Sequence, residues 1–287
     1  MNDNATIVNL SAYRFVDLPD PEALQQQLKQ SMSLIAVKGA VLLACEGINV
    51  TLAGTREQTN AAIAILDSHP QLAGLTFKES HSAYMPHRRL RVRVRSEIIA
   101  FDGENSNDNI SAGQQPARPV APSITPATLN NWLDEERSLT LLDTRNDYEI
   151  VSGTFKQAVH LDIKHFRHFK DAVHTALELG TLDKSQPMVT FCTGGIRCEK
   201  AAPWLLSEGF AEVYQIEGGV LGYLQQSDAR HWQGDCFVFD QRVELTPALQ
   251  PTGAGLCDFC QLAVPRGTRC RCQLGAHHHA TYEIPDV

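Results

Sequence analysis

Apolar and polar positions in residues 6–101 switch between two periods. Ile7–Val16 reads as a strand that Pro19 and Pro21 break, and Glu22–Gln30 then spaces its apolar residues as a helix does. Val37–Ala44 and Ile48–Ala53 are β-rich runs on either side of Cys45-Glu46-Gly47, a hairpin signal. Gln58–Leu66 returns to the helical period, with Ala62, Ile65 and Leu66 on one face. Thr76–Phe101 is extended, as two strand segments around Met85-Pro86. The predicted order is β-α-β-β-α-β, an α+β sandwich of the split βαβ type.

The pattern then lapses. Residues 102–123 are rich in Asn, Ser, Gly, Gln and Pro and read as a linker between a ferredoxin-like unit at 1–101 and a second periodic region at 124–235. In that region Thr125–Asp134, Phe166–Leu179 and Cys198–Ser207 are helical, whereas Leu139–Asp143, Ala158–Leu161, Met188–Phe191 and Val213–Ile216 are short strands. Continuously apolar strands that alternate with helices predict a parallel α/β sheet buried on both faces. Residues 236–287 form a cysteine-rich tail, too short and too poor in apolar residues for a core of its own.

Composition narrows the possibilities. The chain of 287 residues has a formal charge of −8, which disfavours a generally basic nucleic-acid binder and leaves room for a local basic patch. No apolar run approaches the roughly 18 residues of a membrane span, so no membrane partner is expected. The N-terminus lacks the basic and apolar regions of a signal peptide. The expectation is a cytoplasmic protein whose eight cysteines stay reduced and serve catalysis or metal binding. Oligomeric state is not legible.

The main chemical signal is Cys192-Thr193-Gly194-Gly195-Ile196-Arg197, between a buried strand and a helix. In open α/β sheets ligands bind at the carboxyl ends of strands. A cysteine there faces the orphan N–H groups and dipole of the following helix, which favour an anion and lower a thiol's pKa. Gly194 and Gly195 let the loop wrap as an anion-binding nest. Arg197 adds fixed positive charge at the rim. The alternative, an inert buried thiol, leaves the Gly-Gly turn unexplained.

The loop resembles that of the rhodanese superfamily. Phosphatase relatives place five residues between Cys and Arg; here four separate Cys192 from Arg197, a smaller cradle that suits sulfur better than phosphate. Asp143 and Arg145 fill the Asp-x-Arg that rhodanese domains carry at a strand end, where an ion pair would hold the loop. Glu217-Gly218-Gly219 matches the rhodanese Gly-Gly turn.

A narrower resemblance emerges from Cys192-Thr-Gly-Gly-Ile-Arg-Cys-Glu-Lys200, with Tyr13-Arg-Phe, Cys45-Glu-Gly-Ile-Asn49, Leu142-Asp-Thr-Arg-Asn-Asp-Tyr-Glu149, Gly153-Thr-Phe155 and Cys236-Phe-Val-Phe-Asp240. These pieces are similar, in order, to the bacterial rhodanese-like tRNA wobble-uridine hydroxylases. The resemblance implies an N-terminal acylphosphatase-like domain, a cysteine persulfide on Cys192, and oxidation of wobble uridine to 5-hydroxyuridine with molecular oxygen as co-substrate and tRNA as partner. It covers most of the chain except the linker and the end of the tail, which is shorter than in longer family members.

Two rival functions use the same residues. A persulfide-forming sulfurtransferase would share the loop and take sulfur from thiosulfate, a donor protein or a small thiol. A non-catalytic RNA scaffold fits poorly, because degenerate rhodanese domains commonly lose the cysteine that Cys192 retains. No Rossmann fingerprint, Walker loop or facial metal triad is visible, so no nucleotide cofactor is expected.

Three further features have two readings each. Cys198, on the first turn of the helix, either resolves an oxidised Cys192 as a disulfide or simply packs. Cys257, Cys260, Cys270 and Cys272 either hold a structural zinc, with one of His277, His278 or His279 in place of a cysteine of the short Cys270-x-Cys272 pair, or remain free thiols. Residues 78–95 hold six cations, Arg88, Arg89, Arg91 and Arg93 among them, against one acid. Alternation places Arg91, Arg93 and Arg95 on one strand face, either to meet a tRNA backbone or to guard a sheet edge with charge.

Overall fold

The computed structural model describes residues 6–102, 120–270 and 272. The chain divides into two compact units, Met1–Pro116 and Ala117–Val287. Among the described residues no helix is long and apolar enough to cross a membrane.

Unit 1 contains β1 (Ile7–Phe15), α1 (Pro21–Met32), β2 (Lys38–Ala44), β3 (Gly47–Gly54), α2 (Arg56–Asp67), β4 (Lys78–Ser82) and β5 (Leu90–Val94). Local chemistry sets its helix starts. Asp20 accepts a hydrogen bond from the Ala23 amide at 2.8 Å just before Pro21, and Thr55 with Gln58 forms a reciprocal capping box. Leu28, Met32, Ala62 and Leu66 of the two helices pack with Val41, Leu43, Ile48, Val50 and Leu52 of the sheet in one core. Full burial of each leucine contributes about 1.5–3 kcal/mol. The expected hairpin is present, with Ala44 opposite Gly47.

The extended region 76–101 splits further than its sequence suggests. Strand β4 pairs antiparallel with β1, and β5 runs parallel to β2, so the two segments occupy opposite edges of a sheet ordered β4-β1-β3-β2-β5.

Unit 2 begins with β6 (Ser123–Ile124), α3 (Pro126–Asp134), β7 (Thr140–Asp143), α4 (Asp147–Ile150), β8 (Gly153–Phe155) and β9 (Val159–His160). It continues, after a 3-10 turn at Phe166–His168, with α5 (Phe169–Glu178), β10 (Met188–Phe191), α6 (Cys198–Ser207), β11 (Val213–Ile216) and α7 (Gly219–Gln226). Five strands form an entirely parallel sheet ordered β6-β11-β10-β7-β9. Every residue of β7 and β10 is buried, the polar Thr140, Asp143 and Thr190 included.

The chain leaves β7 towards β9 on one side and β10 towards β11 on the other. The carboxyl ends of β7 and β10 therefore flank a topological switch point, where open α/β sheets bind ligands. Phe191 lies opposite Asp143 there, so Cys192 begins at the mouth of that crevice.

Short strands complete unit 2: β12 (Trp232–Gly234), β13 (Cys236–Phe237), β14 (Glu244–Leu245), β15 (Gly255–Leu256) and β16 (Ala263–Val264). Strand β12 pairs with β8, which brings Trp232 against Phe155. Phe155 is the centre of an aromatic core, edge-on to Tyr223, Phe191 and Trp232 at 4.6, 4.9 and 5.2 Å. Beyond it, Phe237, Val243 and Ala254 form a small cluster that draws on Tyr148 of α4. The cysteine-rich segment thus completes its apolar contacts with a residue of the parallel-sheet region.

Candidate active site

The sequence Cys192–Arg197 closes into a compact loop because its bonds are satisfied from several sides. Gly195 adopts a φ of 100°, a conformation that L side chains rarely take, and its amide donates to Cys192 Sγ at 3.0 Å. The amides of Val220 and Leu221, in the first turn of α7, donate to the carbonyls of Cys192 and Thr193 at 2.9 and 3.0 Å. Gly219 makes this approach possible: a Cβ there would lie 2.4 Å from the Cys192 carbonyl oxygen.

Glu149 is the anchor beneath the loop. Its carboxylate accepts two hydrogen bonds from the Arg197 guanidinium, each at 2.6 Å, and one from the Thr193 hydroxyl at 3.0 Å. It also accepts the Asn146 amide at 3.0 Å. Both ends of the loop are thereby tied to one fully buried carboxylate. Burial alone would raise the Glu149 pKa, but the charge and hydrogen bonds of Arg197 outweigh that cost and lower it. Arg197 correspondingly stays protonated despite burial, through its pairing with Glu149.

This geometry corrects one expectation. Arg197 does not stand at the rim; it is 4% exposed and its guanidinium is committed to Glu149. A fork held by a carboxylate positions its charge below the loop. Gly194 and Ile196 are the half-buried residues that form the outer surface of the loop.

Asp143 and Arg145 do form a buried ion pair, with contacts of 2.9 Å at Nε and 2.6 Å at Nη2. They hold a neighbouring segment, since Arg145 donates to the Gly153 carbonyl at 2.7 Å and Thr154 donates to Asp143 at 2.8 Å. The Arg145 guanidinium also lies over the Trp232 ring at 5.2 Å. The pair therefore fixes β8 beside the crevice.

The environment of Cys192 favours its thiolate. Burial alone would raise its pKa; a hydrogen bond from Cys198, the Arg197 charge and the amides of Arg197 and Gly195 together hold it well below the ordinary thiol value. Cys198 behaves oppositely. Burial and the neighbouring Cys192 push its pKa well above the ordinary value. Cys198 Sγ also lies 3.9 Å from the Thr144 hydroxyl, which donates to the Phe191 carbonyl at 2.9 Å. Cys236, equally buried, is pushed up to about 12 by desolvation.

Sequence reasoning places Glu149 within a motif but gives it no role, and it passes over Thr144 and Gly219. One signal for Glu149 is present: Asn146-x-x-Glu149 has capping-box spacing at the start of α4.

A second sulfur site lies in the tail. The thiols of Cys257, Cys260, Cys270 and Cys272 all fall within 4.8 Å of one another, a group that could hold a metal ion. Cys257 and Cys272 are separated by 3.8 Å and Cys260 and Cys270 by 3.4 Å. Zinc–sulfur bonds of about 2.3 Å in a tetrahedron place neighbouring sulfurs roughly 3.8 Å apart, so the four thiols fit such an ion without a histidine. His277, His278 and His279 lie outside the described residues. In the cluster burial opposes ionisation of Cys257, yet amides of Cys260 and Phe259 and neighbouring thiols lower it to about 7, while Cys260 is pushed up to about 12.

The arginines at 88–95 are exposed. Arg91 and Arg93 point outward from the edge strand β5 on either side of buried Val92, with exposed Arg88 and Arg89 just before it.

Known proteins place both units. Residues 7–98 match the UPF0176 acylphosphatase like domain, and residues 125–226 match the Rhodanese-like domain. A solved rhodanese-like domain from Anabaena sp. is 23% identical with a TM-score of 0.33, covering 39% of this chain and 79% of that one. A tRNA uridine(34) hydroxylase of Cupriavidus taiwanensis is 43% identical over 263 residues, which is 90% of this chain and 89% of the relative. Another from Xanthomonas euvesicatoria pv. vesicatoria is 42% identical over 250 residues, 85% of this chain and 96% of that protein. With an acylphosphatase-like domain, a rhodanese domain and identity of this extent, the chain belongs to the tRNA uridine(34) hydroxylase family.

Proposed function

We propose that this protein hydroxylates the wobble uridine of tRNA to 5-hydroxyuridine, with molecular oxygen as co-substrate and Cys192 as the reactive group. The observation that carries this reading is buried Cys192 at the sheet's switch point, in surroundings that favour its thiolate, on a chain that matches hydroxylases of this name over nine-tenths of its length. Loop amides stabilise the sulfur anion, whether as a thiolate or a persulfide. Arg197 acts as a positioning residue, held by Glu149 so that its charge reaches Cys192 from below. Asp143 and Arg145 support the adjoining β8.

The exposed arginines Arg88, Arg89, Arg91 and Arg93 contact the tRNA backbone, where each phosphate neutralised adds affinity that salt screens. Cys257, Cys260, Cys270 and Cys272 hold a structural zinc. Four thiolates close a tetrahedral site and leave no open position for substrate, so such an ion would stabilise the tail.

The test is mass spectrometry of tRNA from a strain that lacks the gene. Complementation with the wild-type chain should restore 5-hydroxyuridine, and complementation with Cys192→Ser should not. Absence of the nucleoside in both strains would overturn the reading. Thiosulfate-to-cyanide transfer by the purified protein would then identify a sulfurtransferase.

A further inference from the structure

Hydroxylation by molecular oxygen leaves an electron deficit that the proposed site must meet. Oxygen takes up four electrons when one atom enters the product and the other becomes water. Replacing the uridine C5–H bond by C5–O supplies two of them. A second donor must supply the other two in every turnover.

Two thiols can do so by closing to a disulfide, a two-electron couple. Among the described residues of unit 2 four cysteines are buried: Cys192, Cys198 and Cys236, and Cys257 of the tail cluster. Two of them are placed as such a couple. Cys192 directly follows the strand β10, the loop runs over Thr193–Arg197, and Cys198 opens α6 with its amide bonded to the Gly195 carbonyl at 3.0 Å. The same Gly195 donates its amide to Cys192 Sγ at 3.0 Å, so one residue of the turn ties the two cysteines together. Thr144, whose hydroxyl donates to the Phe191 carbonyl at the end of the same strand, lies 3.9 Å from Cys198 Sγ. Cys236 instead directs its thiol to the Phe237 carbonyl at 3.7 Å.

We propose that Cys192 and Cys198 are together the internal reductant of the hydroxylation, closing to a disulfide as each uridine is oxidised. This rests on the hydroxylase reading above. The balance is complete: uridine C5–H, O2 and two thiols give C5–OH, water and one S–S bond. The O–O bond and the C5–H bond break, and a C–O bond and an S–S bond form. The Cys198 hydrogen leaves in the water, with a proton from solvent in place of the one the Cys192 thiolate lacks. An external dithiol then reduces the disulfide by exchange, becoming a disulfide itself.

The protonation pattern fits this role. Cys192 is favoured as thiolate and Cys198 as thiol, so the pair shares one proton, the arrangement of Cys-x-x-Cys redox centres at rest. The pair is buried, with Cys192 at 0% and Cys198 at 1% exposure.

The decisive experiment is a single turnover. Protein reduced with dithiothreitol is freed of reductant under anaerobic conditions, then mixed with substrate tRNA and oxygen. Nucleoside mass spectrometry reads 5-hydroxyuridine, and peptide mass spectrometry with alkylation reads the thiols. The expected result is one hydroxylated uridine per chain together with a Cys192–Cys198 cross-linked peptide, neither growing further until dithiothreitol is restored. Cys198→Ser keeps a hydroxyl donor towards Cys192 but cannot close the disulfide, so its product should fall to background in the absence of reductant. Stoichiometric product with both thiols still free, or a wild-type yield from Cys198→Ser, would overturn the proposal and leave the hydroxylase reading standing. No product from the wild-type chain under any condition would overturn both. The wild-type thiol count decides the question even if the variant fails to fold.

Discussion

The chain carries two clusters of sulfur that are organised by opposite means. In the rhodanese loop a fixed cation, Arg197, and inward amides favour charge on one thiol while its neighbour Cys198 keeps a proton. In the tail four thiols crowd within 4.8 Å. Four like charges at that spacing cannot coexist without a counter-ion, so full ionisation there requires a metal. A site that makes one thiolate with protein groups alone is poised for reaction. One that can charge its sulfurs only around an ion is suited to holding the chain together.

Removal of the proposed zinc should separate them most strongly. Structural zinc in small peptides is worth about 10–16 kcal/mol near neutral pH. Chelation should therefore release stoichiometric zinc and expose Cys257, Cys260, Cys270 and Cys272 to alkylation, while Cys192 keeps its reactivity. Protein purified with its tail thiols already free, and without metal, would collapse the contrast.

Glu149→Gln should come next. It leaves the buried Arg197 charge uncompensated, which costs about 3–5 kcal/mol, readable in urea unfolding. The pH dependence has a definite sign. Since the folded Glu149 pKa is lowered, the pair's contribution is fully present above about 4.3, the unfolded value, and is lost as pH falls through the folded one. In the variant that acid-dependent part of the stability should vanish.

Arg91→Glu with Arg93→Glu tests a surface remote in sequence from either sulfur site. tRNA affinity should fall, and the magnitude of its salt slope should drop by about one for each phosphate that is no longer neutralised. Alkylation of Cys192 and metal content should not change. Unaltered binding would return these arginines to the role of edge-strand guards.

The smallest effect is the most local. As pH falls below about 8.5, a free cysteine loses its nucleophile, whereas Cys192 should go on reacting with iodoacetamide until its depressed pKa is reached. Cys236, pushed up to about 12, should stay unreacted throughout. Equal profiles for the two would mean that the loop confers no special acidity.

Much of this was legible because it is local. Met188–Phe191 and Cys198–Ser207 form the strand and helix that their apolar runs predict, and Cys192 falls between them. Asp143 and Arg145, two residues apart, pair as expected. The placement of Arg197 was not legible, because its partner Glu149 lies 48 residues away and only the parallel sheet brings them together. Helix α7 escaped notice for a different reason. Gly218, Gly219 and Gly222 give it poor helix propensity, and its first amides find their acceptors in the Cys192 loop.

The meeting of α7 with that loop bears on redesign. The amides of Val220 and Leu221 meet two consecutive carbonyls, those of Cys192 and Thr193, and a Cβ on Gly219 would collide with the first. Helix α7 thus works as a ruler laid against the loop. Inserting a residue to reach phosphatase length would shift those carbonyls off their marks, so a phosphate-sized cradle would require α7 to be recut with it. Transplanting the six-residue segment alone to another sheet would carry over the letters and lose the measure.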